Sequence, residues 1–567
     1  MGNCASGGEG RLNLGQNLWR AALVQGLAIV AMWTVLPVCK GQERFILTGS
    51  VVDSGTGRLI PARVYIQSED GSYFFPRSTD GGSAVEYRET AAKRSVEMHT
   101  TLSAHPFTAS LPPGRYRFRV ERGKEYLPHS EGFDIVRAPL SVQVRLKRWI
   151  NMAGLGWYSG ETHIHRDVDE LPNVMLAEDL NVALPLSFWA FDAYGTPSSV
   201  PIQWGQMVKP ESKIPRVVSS DLIQVDPEHV ICSMNTEYEI DTVHSEDHLL
   251  GAVFALNHRE PLKQVALPVR QLAEEVHQRG GLLELDKHNW PWSMMLVPIM
   301  QVDLYELANN HMWPVKFQVR KFGEEPAPYM SVERDDLGLT EMGWIQFTLE
   351  NYYTLLNCGF RLRPTAGTAS GGYPVPLGFS RVYVHLPDGF SYDRWIDGLN
   401  QGRSFVTTGP MLVVRVDGEW PGCVIHQVAE DGESHRITGW ARSAGPLSRI
   451  EIVSEGRVVR TLEAANLPVP GGGYRSPIEV GMEVDSSTWI AVRCYGSGKE
   501  KARFAHTAPF FIDVPGRPLH PRREEIDYLI HRVETQLQRN QGALQQEALQ
   551  EYRTALAVYR TIAKTAR

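Results

Sequence analysis

Residues 157–166 read Trp157-Tyr158-Ser159-Gly160-Glu161-Thr162-His163-Ile164-His165-Arg166. Two histidines separated by one residue, at the end of a strand, point their imidazoles to the same side, because side chains alternate with a period of two. They offer one metal ion two nitrogen ligands, which a lone imidazole cannot do. A bare His-x-His is short and arises easily by chance, so its neighbours decide what it means.

The chain has 567 residues, too many for one ordinary core; about three or four domains are expected. Hydrophobic residues make up 43% and charged residues 22%, as in globular proteins, and the formal net charge is −8. That charge offers no basic footprint, so nucleic acid is not an expected partner. Fifty Gly and 36 Pro, spread along the chain, point to many turns and a large β content.

The N-terminus differs in kind. Arg11 and Arg20 precede an apolar run from Ala21 to Val38, broken only by Gln25, Gly26 and Thr34. A basic flank before such a run reads as an export signal or an uncleaved membrane anchor, and residues 1–42 are assigned to it. The protein is therefore expected to be exported, as a secreted, periplasmic or membrane-anchored chain. Leu36-Pro37-Val38-Cys39 fits a lipoprotein cleavage box poorly. Beyond that segment Cys232, Cys358, Cys423 and Cys494 are widely spaced, with no Cys-x-x-Cys, so buried free thiols are expected rather than a disulfide framework or a thiolate zinc site.

Residues 45–147 show short alternating runs punctuated by Asp53-Ser54-Gly55-Thr56-Gly57 and Leu111-Pro112-Pro113-Gly114, the pattern of a β-sandwich. This segment resembles the carboxypeptidase-regulatory-like modules. Residues 148–410 mix helices and strands. Val269, Leu272, Ala273 and Val276 recur at helical spacing after Pro268, and Gly280-Gly281 stops the helix before Leu282-Leu283-Glu284-Leu285. Such alternation predicts an α/β domain. Residues 411–515 return to short strands and read as a second β-sandwich. Residues 522–567 carry two apolar stripes, Ile526, Leu529, Ile530, Val533 and Leu537, then Ala548, Tyr552, Ala555, Leu556 and Tyr559, and predict a helical hairpin. Its two readings are docking on the body and oligomerisation.

Within the middle segment His, Asp and Glu recur at strand ends. Glu237 and Glu239 compete for one role, with Glu237 preferred. His244, His248 and His258 follow, then His288 in Glu284-Leu285-Asp286-Lys287-His288-Asn289-Trp290, and His311 in Leu307-Ala308-Asn309-Asn310-His311. Strand ends of an α/β barrel converge on one mouth, so ligands scattered in sequence can meet in space. Imidazole and carboxylate together suit zinc, manganese or iron. His258 has an equally good reading as a loop histidine. Trp290, Trp292 and Trp313 read first as packing, with a pocket wall as the alternative.

These residues carry a resemblance. Tyr158 to His165, an isolated Glu, a later His after a Gly-Gly turn and Gly402-Arg403-Ser404-Phe405-Val406-Thr407-Thr408-Gly409-Pro410 resemble the CehA/McbA-like metallohydrolases of the polymerase-and-histidinol-phosphatase (PHP) superfamily. Leu377 to Val384 and Ala505-His506-Thr507-Ala508-Pro509 look like its C-terminal landmarks. The resemblance implies a distorted (β/α)7 barrel, flanked here by the β-sandwiches, that holds divalent metal and cleaves phosphoester, ester or carbamate bonds with a metal-activated water. It places His163 and His165 in the first motif, Glu237 as bridging carboxylate, His248 after it and His288 after the Gly-Gly turn. Two motifs depart from the family pattern. Leu186-Ser187-Phe188-Trp189 lacks the Asp-His pair of the second, and Gly367-Thr368-Ala369-Ser370-Gly371 lacks the Asp and His of the last. His311 and Glu178 are the residues available to compensate, by position rather than by resemblance. The expected ligand set is thus His163, His165, Glu237, His248, His288 and His311.

Two functions are carried forward ahead of a third, a structural envelope or interaction protein using the tail helices. One is a metal-dependent hydrolase acting on a small-molecule or cell-surface substrate. The other is a non-catalytic surface protein, with a degenerate barrel that binds a glycan, peptide or protein partner. No nucleotide-binding glycine loop and no Gly-x-Ser-x-Gly elbow compete with them.

Overall fold

The strand that carries the histidine pair, Trp157–Ile164, is buried at every residue. It lies parallel to Val182–Pro185 and antiparallel to Arg381–His385. Its glycine has a steric reason: a Cβ on Gly160 would fall 2.2 Å from Cζ2 of Trp395, so the indole lies directly on the backbone. The computed structural model describes residues 43–81, 83–91, 95–199, 218–312, 323–427, 433–498 and 502–567. Residues 1–42, read above as an export signal or membrane anchor, and Trp313 lie outside these.

Among the described residues the chain is a mixed α/β protein with seven α-helices and many strands. Two sheets build its centre. One has twelve strands and contains Trp157–Ile164. The other runs in the order Phe188–Asp192, Thr236–Val243, Glu246–Leu256, Leu282–Leu285, Leu304–Ala308 and Arg363–Ala366. The sheets meet where Ser370, just past the last of these strands, forms a parallel bridge with Ile164. His165 N–H donates to Ser370 O at 2.9 Å, and Ala369 N–H donates to His163 O at 2.8 Å. The backbone around both histidines is thereby held from each side.

Helix Val269–Gln278 buries Val269, Leu272, Ala273 and Val276 against this core. Gly280, at φ 71°, ends it before Leu282–Leu285. Helix Glu341–Asn357 starts at Thr340, whose hydroxyl accepts the Gly343 N–H at 2.9 Å, a cap of the usual kind. No helix among the described residues is long and apolar enough to cross a membrane.

Residues 45–147 form a four-stranded and a six-stranded sheet around one apolar core, with Phe107 of one against Phe118 of the other. This part reaches into the α/β centre. Tyr87 takes the Gly371 N–H at 3.3 Å, donates to the Tyr373 carbonyl and lies 4.2 Å from the Arg166 guanidinium. Beyond residue 410 the expected boundary is crossed by a continuous sheet: Ser404–Thr407 pairs with Phe504–Thr507, which pairs with Thr488–Gly496. A separate four-stranded sheet, which includes Met411–Val416, covers it. Cys232, Cys358, Cys423 and Cys494 are free thiols.

The tail forms helices Arg523–Arg539 and Gln546–Ile562, and their stripes are buried against the body. Tyr559 OH donates to Met294 O at 2.6 Å. Glu551 accepts the N–H groups of Val269 and Arg270, each at 2.9 Å, and so caps helix Val269–Gln278 from outside. Ile526, Leu529 and Val533 each contribute about 1.5–3 kcal/mol by leaving water.

Candidate metal centre

Four strands bring side chains to the histidine pair. Trp157–Ile164 supplies His163 and leads into His165, Thr236–Val243 supplies Glu237 and Glu239, Leu282–Leu285 leads into Asp286, and Leu304–Ala308 supplies Glu306. His163 Nε2 lies 3.0 Å from His165 Nε2, and His165 Nε2 lies 3.5 Å from Glu237 Oε2. The other ring nitrogen of His163, Nδ1, lies 2.8 Å from Glu306 Oε1 and 3.7 Å from Asp286 Oδ1. Two groups of ligand atoms, each within 4.8 Å of one another, therefore share one imidazole: His163, His165 and Glu237, and His163, Asp286 and Glu306.

The surroundings are dry. His163 and Glu237 are each 2% exposed, and the His165 side chain 7%. Burial pushes the Glu237 carboxyl up to about 8, helped by the negative Asp286. Glu239 and Glu306 are raised well above the ordinary carboxylate range, first by burial and then by neighbouring carboxylates. Burial pulls His163 well below its ordinary value, against the opposing pull of Asp286, so its ring is neutral and able to ligate. Asp286 runs the other way. Burial alone would raise it, but the Lys287 ammonium, 2.6 Å from Oδ2, holds it ionised. Glu237 Oε2, Glu239 Oε2 and Glu306 Oε2 are buried without a hydrogen-bond donor among the described residues. Buried carboxylate oxygens are costly in that state unless a cation satisfies them, so the residues present fit a divalent ion.

The six expected ligands divide three ways. His163, His165 and Glu237 come together. His288 and His311 lie beside them in the same interior but outside both 4.8 Å groups. Both ring nitrogens of His288 are buried without a hydrogen-bond partner among the described residues, and its ring packs against Trp344 and Phe347. His311 also packs on Trp344, and burial, then Lys287, pulls it down to about 3. His248 is a correction. Its Nε2 meets Asn540 Oδ1 of the tail at 2.7 Å. Glu237 pairs with Phe254 on the neighbouring strand, which puts His248 six residues further along, roughly 20 Å away. His244 and Ser245, both at positive φ, form the tight turn between those strands, and that reversal carries His248 off.

Other candidates also find their places. His258 hydrogen-bonds Thr236 Oγ1 and Glu260 O, each at 2.8 Å, and is a structural loop histidine. Glu178 cannot compensate for a missing ligand because it is ion-paired with Arg63 of the N-terminal sandwich. Trp290 donates to Asp286 Oδ2 at 2.8 Å, and Trp292 is core. Trp189, in the stretch Leu186 to Trp189, lies with its ring centroid 6.4 Å from that of His165. Where the last motif lacks its ligands, Thr368 serves structure: its N–H donates to Glu161 Oε1 at 2.7 Å. Gly367 is required there, because a Cβ would fall 2.1 Å from that of His163.

Asp286, Lys287 and Glu306 were not singled out in the sequence. Glu306 had one signal available, a charged residue inside the apolar run Leu304-Tyr305-Glu306-Leu307-Ala308. No protein-family model matches the chain, and no curated protein matches it.

Proposed function

We propose that this chain is an exported metal-dependent hydrolase, resembling the CehA/McbA-like members of the PHP superfamily, with residues 148–410 as a distorted (β/α)7 barrel. One observation carries the reading: His163, His165 and Glu237 gather their ligand atoms within 4.8 Å in a buried site. A divalent ion held by His163, His165 and Glu237 would supply Lewis acidity at neutral pH. The chain's own residues do the rest. Glu306 accepts a hydrogen bond from His163 Nδ1, which leaves Nε2 unprotonated and directed toward His165. Trp189 and Phe254 flank the two imidazoles and exclude water from them. Glu239 is a carboxyl held protonated by burial, able to give a proton to a departing alkoxide. The substrate class is an ester, carbamate or phosphoester of a small molecule or cell-surface component, and the segment 1–42 supplies export or membrane attachment.

The test is bound metal in the purified chain, measured by mass spectrometry with and without His163→Ala plus His165→Ala. Stoichiometric metal lost on double substitution supports the reading, and a parent that takes up none sinks it. A non-catalytic surface protein binding a glycan, peptide or protein partner is the second reading. Trp189 beside His165, where the family carries ligands, favours it. A metal-loaded chain inert on a panel of esters, carbamates and phosphoesters would select it.

A further inference from the structure

The two ligand groups that share His163 differ in how far the protein itself satisfies them. In the group of His163, Asp286 and Glu306, the Asp286 carboxylate takes Lys287 Nζ at 2.6 Å and Trp290 Nε1 at 2.8 Å on Oδ2, with the ammonium also against Oδ1. His163 Nδ1 is engaged by Glu306 Oε1 at 2.8 Å. Glu237 Oε2 in the other group and Glu306 Oε2 in this one each receive no hydrogen bond among the described residues, but only in the group of Asp286 does an ammonium lie against a ligand oxygen. The protein thus supplies its own positive charge to one group and not to the other.

We propose that Lys287 is a built-in cation filling the second position of the centre, so that each chain binds one divalent ion, at His163, His165 and Glu237. The inference rests on the metal reading above and adds the number of ions and the residue that sets it. Lys287 is 5% exposed and sits in the chain immediately after Asp286, so its ammonium has nowhere to retreat. A metal ion against Asp286 would meet that ammonium at close range, where a dry interior screens repulsion poorly. Displacing the ammonium would leave a buried charge unpaired, which is strongly unfavourable. A lysine suits the role as a compact point charge with three donors.

The experiment counts ions. The full chain is stripped with a chelator, reloaded separately with excess Zn²⁺ and Mn²⁺, freed of unbound metal and analysed by mass spectrometry. One ion per chain in the parent, two in Lys287→Met and one in Lys287→Arg are expected. Two ions in the parent overturn the inference, as does a folded Lys287→Met that still holds one. No metal in the parent is a different failure, because it removes the hydrolase reading itself. Circular dichroism establishes that the variants fold. If Lys287→Met does not, Lys287→Gln replaces it, and calorimetric titration of the parent alone still decides between one site and two.

Discussion

The imidazole of His163 lies between two partners: Glu306 Oε1 at 2.8 Å from Nδ1 and His165 Nε2 at 3.0 Å from Nε2. A carboxylate behind a ligating histidine fixes its tautomer and orientation and raises its basicity.

Glu306→Ala is therefore expected to weaken metal binding by about 10–100-fold. Glu306→Gln keeps an acceptor for Nδ1–H and should lose less. Competition titration against a fluorescent chelator measures both. Equal affinity in the parent and the Ala variant would remove Glu306 from the centre.

Metal uptake should depend on pH in a defined direction. Glu237 is raised from an ordinary 4.5 to about 8 by burial and by Asp286, so without metal it holds a proton at neutral pH. Binding must release that proton, so apparent affinity rises about tenfold per pH unit up to about 8 and then levels. Stability of the metal-free fold follows the same shift. Below pH 4.5 both folded and unfolded forms are protonated and the group contributes nothing. Between 4.5 and 8 only the unfolded chain ionises, so the metal-free fold loses stability as pH rises. Melting temperatures with and without metal should diverge across that window, and parallel curves would refute the assignment.

Gly367→Ala should damage the centre without touching a ligand. The added methyl would press on His163 Cβ at 2.1 Å and on Glu306 Oε1 at 2.5 Å. Overpacking of this kind costs about 1–3 kcal/mol. Urea denaturation should show that loss, accompanied by weaker metal binding.

His248→Ala should leave metal content unchanged, since its ring nitrogen meets Asn540 Oδ1 at 2.7 Å in the tail. A lowered melting temperature with full metal is the expected pair of results. Loss of metal would return His248 to the ligand set.

Arg532→Met should loosen the loop behind the centre. Its guanidinium, 3% exposed, donates to Trp290 O at 2.9 Å and lies 3.4 Å from His288 O. Each carbonyl left without a donor costs about 1–3 kcal/mol. Faster hydrogen exchange through residues 286–292 is the signature to measure.

The histidine pair was legible because strand alternation is local: two residues apart means one face, whatever the rest of the chain does. Helix Val269–Gln278 and strand Leu282–Leu285 were legible for the same reason, through spacing and a glycine stop. What failed was anything set by a distant partner. His248 follows Glu237 closely in sequence, yet the turn at His244 and Ser245 folds it back along the neighbouring strand. Glu178 looked available until Arg63, 115 residues earlier, took it. Asp286 and Glu306 drew no notice because a lone carboxylate gains meaning only when strand neighbours bring it to His163. The sheet crossing residue 410 is likewise a pairing of Ser404–Thr407 with Phe504–Thr507, which local patterning does not encode.

The contact between Arg532 and the His288 loop also sets a schedule. Arg532 lies 367 positions after His165 in the chain. A growing polypeptide can present both imidazoles long before it can close the shell behind them. The two imidazoles are thus closed off by a segment made long after them, so the order in which the chain is made and the order in which this interior is sealed are far apart.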